Sequence, residues 1–159
     1  MSTDIQDNPG VIAPPPFIYA GGLALGLLLQ RLVPLKYLPR ASRGIGLTLG
    51  CTGISMGLAV LVSGFRQMNQ AHTNINPTRP ATTIVTEGPF RFTRNPLYLG
   101  MTLLYIGITF LVNSFWLILI LPVVLGLMNF GVIAREERYL EHKFGSQYLA
   151  YKQRVRRWV

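Results

Sequence analysis

Four apolar blocks, separated by basic or proline-rich connections, constrain this chain more than any other feature. Phe17 to Val33 is interrupted only by Gln30 and Arg31, and Gly44 to Phe65 carries no charge at all. Leu97 to Val112 and Phe115 to Ala134 follow, joined by Asn113 and Ser114 alone. At 1.5 Å per residue the first block reaches about 25 Å as a helix, enough for a thin or locally adapted bilayer. Half of the 159 residues are hydrophobic and 13% are charged, against about 25% charged in ordinary soluble proteins. The chain is expected to be all-α and embedded in a membrane, with about four transmembrane helices.

The connections refine that picture. Gly46, Gly50, Gly53 and Gly57 recur at small-xxx-small spacing in the second block, which lets helix backbones approach closely in lipid. A two-residue turn makes the third and fourth blocks an antiparallel hairpin, and Pro122 inside the fourth predicts a kink. After Ala134, Leu140, Phe144, Tyr148, Tyr151, Val155 and Trp158 recur every three or four residues. That is an amphipathic helical stripe, broken at Gly145 with Ser146 as the cap of its second piece. The chain divides into a flexible lead-in over 1–16, a two-span part over 17–65, and a part over 66–159 that holds the hairpin. The lead-in has Asp4 and Asp7 but no Lys or Arg, so it does not read as a secretory signal peptide.

Charge fixes an orientation and excludes some functions. With four spans, Arg66, Arg79, Arg91, Arg94 and the seven Lys or Arg from Arg135 onward share one side. Arg31, Lys36, Arg40 and Arg43 oppose them, and the larger group is assigned to the cytoplasm. The net charge of +9 belongs to these connections and does not call for nucleic acid as a partner. Cys51 is the single cysteine, and His72 and His142 lie far apart, so no metal site is expected.

Two places are dense in residues that lipid rejects. Gly88-Pro-Phe-Arg-Phe-Thr-Arg-Asn-Pro-Leu-Tyr-Leu-Gly100 sets two arginines, two prolines and two glycines against a span. Irregular backbone at that depth is tolerated only when buried in protein or lining a cavity. An interfacial loop whose arginines meet lipid phosphates is the plainer alternative. Glu136 and Glu137 stand at the end of another span, where carboxylates are costly unless solvated or paired. They either form a solvated face with local ion pairs or hold a cationic or hydroxyl-bearing ligand.

The two places, with Phe144-Gly145-x-x-Tyr148-x-x-Tyr151 and Arg154-Val155, form an ordered series from Thr86 to Arg157. The series resembles the isoprenylcysteine carboxyl methyltransferase and phospholipid methyltransferase family of integral membrane enzymes. The resemblance implies S-adenosylmethionine as methyl donor, held by Asn95, Pro96, Tyr98, Gly100, Glu136 and Glu137. It further implies that Arg91, Arg94 and Arg154 orient a lipophilic acceptor, with the carboxylate of a prenylated cysteine as the nearest precedent and membrane lipid as surroundings. Asn95 stands where many members have His, so an imidazole base is not available at that position. Phospholipid N-methylation, a sterol-reductase-like enzyme using NADPH, and a non-catalytic membrane protein are the alternatives. An amine acceptor must first lose a proton, and the sequence offers no clear base for it.

Overall fold

The computed structural model describes residues 8–77 and 79–159, Arg40 by its backbone only. The described residues form helices and connections, without a strand. Helix α1 is Pro15–Leu32, α2 is Arg43–Gln70, α3 is Pro96–Val112 and α4 is Phe115–Gly126. A π-helical segment, Leu127–Ile133, carries α4 directly into α5, Ala134–Phe144, and α6 is Ser146–Arg154. Among the described residues two helices are long and apolar enough to cross a membrane, Arg43–Gln70 and the continuous rod Phe115–Phe144. Helix α3 is apolar but only 17 residues long.

Several boundaries depart from the sequence expectations. Pro15 already opens α1, because a proline at the first helical turn sacrifices no hydrogen bond, so the expected lead-in over 1–16 ends sooner. Its first seven residues, including Asp4 and Asp7, lie outside the described residues. Helix α2 runs five residues past Phe65. Ser146 does not cap α6. Gly145 takes that place at φ +51°, a conformation that glycine adopts without strain. Beyond Pro122 the helix widens into the π segment.

Glycines decide how the helices pair. Gly50, Gly53 and Gly57 of α2 face Gly100, Leu103, Leu104 and Gly107 of α3 at backbone contact. A Cβ on Gly107 would sit 2.8 Å from both the Gly50 carbonyl oxygen and the Ile54 amide nitrogen. Gly107→Ala is therefore expected to force α2 and α3 apart and cost about 1–3 kcal/mol. Gly126→Ala, where the new methyl meets nothing within 4 Å, is the control. Thermal unfolding midpoints in detergent measure the difference. Equal midpoints would remove the glycine seam from the argument.

On the other side α1 lays Gly22 and Gly26 against Val124 and Leu117 of α4. The core between them is Tyr19, Tyr98, Tyr105, Leu117, Val124, Met128, Val132 and Ile133. The α3–α4 turn is closed by Asn113 in the left-handed conformation and by Ser114, whose hydroxyl accepts from the Leu117 amide. Asn113 also takes the amides of Tyr37 and Leu38 and donates to the Leu38 carbonyl, tying the α1–α2 connection to the hairpin.

Candidate active site

At the opposite end from that turn, the segment after α2, the start of α3, and α5 with α6 enclose a cavity of about 140 Å³. Arg94, Asn95, Pro96, Tyr98, Glu136 and Glu137 are all in its wall. Thus the proline-rich strip and the double glutamate face one space. Pro96 occupies the first turn of α3, and Asn95 at the N-cap makes no cap bond. Instead its Nδ2 donates to the Arg157 carbonyl oxygen at 2.9 Å. The Thr93 hydroxyl donates to the same oxygen at 3.1 Å, and the Arg94 amide donates to the Arg156 carbonyl at 3.0 Å. The C-terminal residues are stitched to the strip and form its backing.

The two glutamates are not equivalent. Adjacent helical positions diverge by about 100°, and here that divergence separates their partners. Glu137 is buried and takes a two-pronged contact from Arg157, Nε to Oε1 at 3.0 Å and Nη2 to Oε2 at 2.6 Å. Arg94 adds an ion pair with the same carboxylate, Nη1 to Oε1 at 3.1 Å. That contact is out of line for a hydrogen bond, so Arg94 Nε and Nη1 are buried donors without a hydrogen-bond partner. Glu136 pairs with no cation among the described residues; its Oε1 accepts from the Tyr98 hydroxyl at 2.5 Å. Tyr98 is held in turn by Tyr19 of α1, whose hydroxyl reaches the Tyr98 carbonyl and Thr102.

The aromatic floor comes from α6. Tyr148 and Tyr151 are buried and line the cavity, and the Tyr151 hydroxyl donates to the Phe90 carbonyl at 2.8 Å. Burial pushes the Tyr148 phenol up to about 12 against the opposing pull of Arg94, and burial raises Tyr151 as well. Both stay neutral hydroxyls at physiological pH. Hydrogen bonds to Glu137 hold the Arg157 guanidinium above its ordinary value.

Three other residues suggested by the family resemblance stand elsewhere. Arg91 is 67% exposed in its side chain and pairs with Glu87 at 3.4 Å. Arg154 is exposed and turns Nε back to the Ala150 carbonyl. Neither lines the cavity. Gly100 faces α2, where a Cβ would lie 2.7 Å from Leu61 Cγ, so it serves the helix seam. Conversely, the site includes two residues that the motifs do not single out, Arg157 and Asn129. Arg157 Nη1 donates to Asn129 Oδ1 at 2.9 Å. The signal was present: Asn129 is the one strongly polar residue in the block Phe115 to Ala134. Among the described residues no cluster of His, Cys, Asp or Glu is suited to a metal ion.

The sequence model of a family described as phospholipid methyltransferase matches residues 45–147, more than half of the chain. An uncharacterized protein of Haemophilus influenzae is 46% identical over 65 residues, 40% of this chain and the whole of that relative. No solved structure matches.

Proposed function

The chain belongs to the phospholipid methyltransferase family, and from that premise we propose that it transfers a methyl group from S-adenosylmethionine to a lipophilic acceptor bearing a carboxylate, of the prenylated-cysteine kind. The carrying observation is the pairing pattern in the cavity: among the described residues one carboxylate has no cation beside it, and one buried arginine keeps two nitrogens without a hydrogen-bond partner. These suit a sulfonium-bearing donor and an anionic acceptor. When bound, the donor supplies an electrophilic methyl group on a sulfonium. Glu136, oriented by Tyr98, supplies the counter-charge that a buried cation needs. The Asn95–Pro96 backbone, the Tyr98 ring and the floor of Tyr148 and Tyr151 hold the donor's uncharged parts. Arg94 holds the acceptor's oxyanion and keeps it aligned. Placing the carboxylate against the sulfonium in a water-poor pocket favours a step in which two opposite charges vanish. That step requires no proton abstraction, and Asn95 has no base to offer.

We further read all four helices of the hairpin and its N-terminal pair as membrane-spanning, with the cavity end cytoplasmic. The N-terminal pair over 17–65 serves as the lipid-facing support for the catalytic part over 66–159.

Methylation of a phospholipid amine is the second reading, favoured by the name of the matched family. The two are separated with the full chain in nanodiscs and radiolabelled S-adenosylmethionine. An N-acetyl S-farnesylcysteine acceptor would yield label released by mild alkali as methanol, because the product is an ester. Phosphatidylethanolamine would yield alkali-stable label. Wild-type protein that binds neither S-adenosylmethionine nor S-adenosylhomocysteine would end both readings.

A further inference from the structure

We propose that Arg157 is a positioning residue: by saturating Glu137 it leaves Arg94 available to an oxyanion of a bound ligand. The proposal rests on the methyl-transfer reading of the site and assigns a role to the C-terminal segment, which that reading leaves unexplained.

The charge count is the starting point. Arg94, Arg157 and Glu137 form one cluster of two cations and one anion, so one positive charge is left over. The side chains of Arg94 and Glu137 are 9% and 6% exposed, whereas that of Arg157 is 34% exposed. Water therefore attends Arg157 far more than Arg94. Geometry then decides which arginine satisfies the carboxylate. Arg157 holds the in-line, two-pronged contact, and Arg94 is left with an ion pair and two nitrogens that make no hydrogen bond. Arg94 lines the cavity while two of its nitrogens lie buried without a hydrogen-bond partner, and a guanidinium in that state gains from an anion brought against it.

The same residue is fixed on every side. Its Nη1 is taken by Asn129 of the π segment, and its carbonyl oxygen accepts from Thr93 and Asn95. Trp158 packs beside it on the main core. These contacts hold Arg157 on Glu137. Without it, Glu137 would turn to its remaining cation and draw the Arg94 donors out of the cavity. The cluster would then be neutral and the receptor closed.

The anion has two sources, the carboxylate of the methyl donor and the acid group of the acceptor. Full-length wild type, Arg157→Ala, Arg157→Lys and the double variant Arg157→Ala/Glu137→Gln are compared in nanodiscs by calorimetry. The donor arm uses S-adenosylhomocysteine against methylthioadenosine, which lacks the amino-acid part. The acceptor arm uses N-acetyl S-farnesylcysteine against its methyl ester. Arg157→Ala is expected to weaken the acid-bearing ligand of one arm at least by about tenfold while its acid-free analogue changes less than about twofold. Arg157→Lys, a point charge without the fork, falls between. The double variant restores the surplus positive charge and recovers binding to within about threefold of wild type, a non-additive result that a merely structural arginine would not give. Equal weakening of both ligands within an arm, or no recovery in the double variant, overturns the proposal. If wild type binds none of the four, the methyl-transfer reading itself falls, and sulfate decides the receptor alone. Thermal stabilisation by sulfate in wild type and the double variant but not in Arg157→Ala upholds it; equal stabilisation in all three refutes it.

Discussion

Glu137→Ala is expected to destabilise the fold by about 3–5 kcal/mol, the largest effect of any single substitution in the cavity wall. The reason lies in what the change leaves behind. Arg94 has a side chain that is 9% exposed and two donors already without hydrogen-bond partners. Its compensation is the ion pair with Glu137, and removing that carboxylate strands a guanidinium away from water. Arg157 suffers less, since a third of its side chain reaches solvent. It would still lose the fork that holds the C-terminal segment over the strip. Glu141→Ala is the matched control. It breaks the pair with Lys152, whose partners are 37% and 31% exposed in their side chains, and such a pair contributes about 0–1 kcal/mol. Unfolding midpoints of both variants in detergent make the comparison. If the two midpoints fall together, the buried cluster does not hold the structure.

The contrast between these two glutamates shows what a sequence displays and what it hides. Apolar blocks, the Asn113-Ser114 turn and the small-residue spacing are local, so the helices and the hairpin could be read directly. The strip from Gly88 to Gly100 and the double glutamate could be read as chemistry, because Arg, Asn and Glu beside apolar spans need a reason to be there. What remained hidden is which partner each of them takes. Glu136 and Glu137 are neighbours with the same chemistry, and only the rotation of α5 against α3 gives one to Tyr98 and the other to two arginines. Arg91 and Arg94 are three residues apart, yet the short turn Gly88–Arg91 sends the first to solvent and the second into the cavity. Arg157 stands in the basic run Arg154 to Arg157, off the apolar stripe, and nothing in that run singles it out. Its role depends on the extended chain after α6, which sets the Arg156 and Arg157 carbonyls against Thr93, Arg94 and Asn95. Long-range closure of that kind leaves no periodic trace.

Glu136→Gln is the other large expectation, and it acts on binding rather than on stability. Glutamine keeps the shape and can still accept a hydrogen bond from the Tyr98 hydroxyl, now made to Glu136 at 2.5 Å. What it removes is the one negative charge in the cavity wall that no cation neutralises among the described residues. A buried charge-assisted contact contributes about 1.5–3 kcal/mol, so affinity for S-adenosylmethionine should fall by about 10- to 100-fold. S-adenosylhomocysteine has the same adenosine and amino-acid parts but a neutral sulfur. Its affinity should fall by less than about threefold, because the lost interaction is with the sulfonium. The unfolding midpoint should stay near that of wild type, unlike that of Glu137→Ala, since no arginine loses its partner. Calorimetric titration of both ligands against wild type and variant reads the split. Equal losses for the two ligands would assign Glu136 to a part of the donor that they share. An unchanged affinity for S-adenosylmethionine would mean that the carboxylate on Tyr98 is not the counter-charge, and the charge pattern of the cavity would no longer argue for methyl transfer.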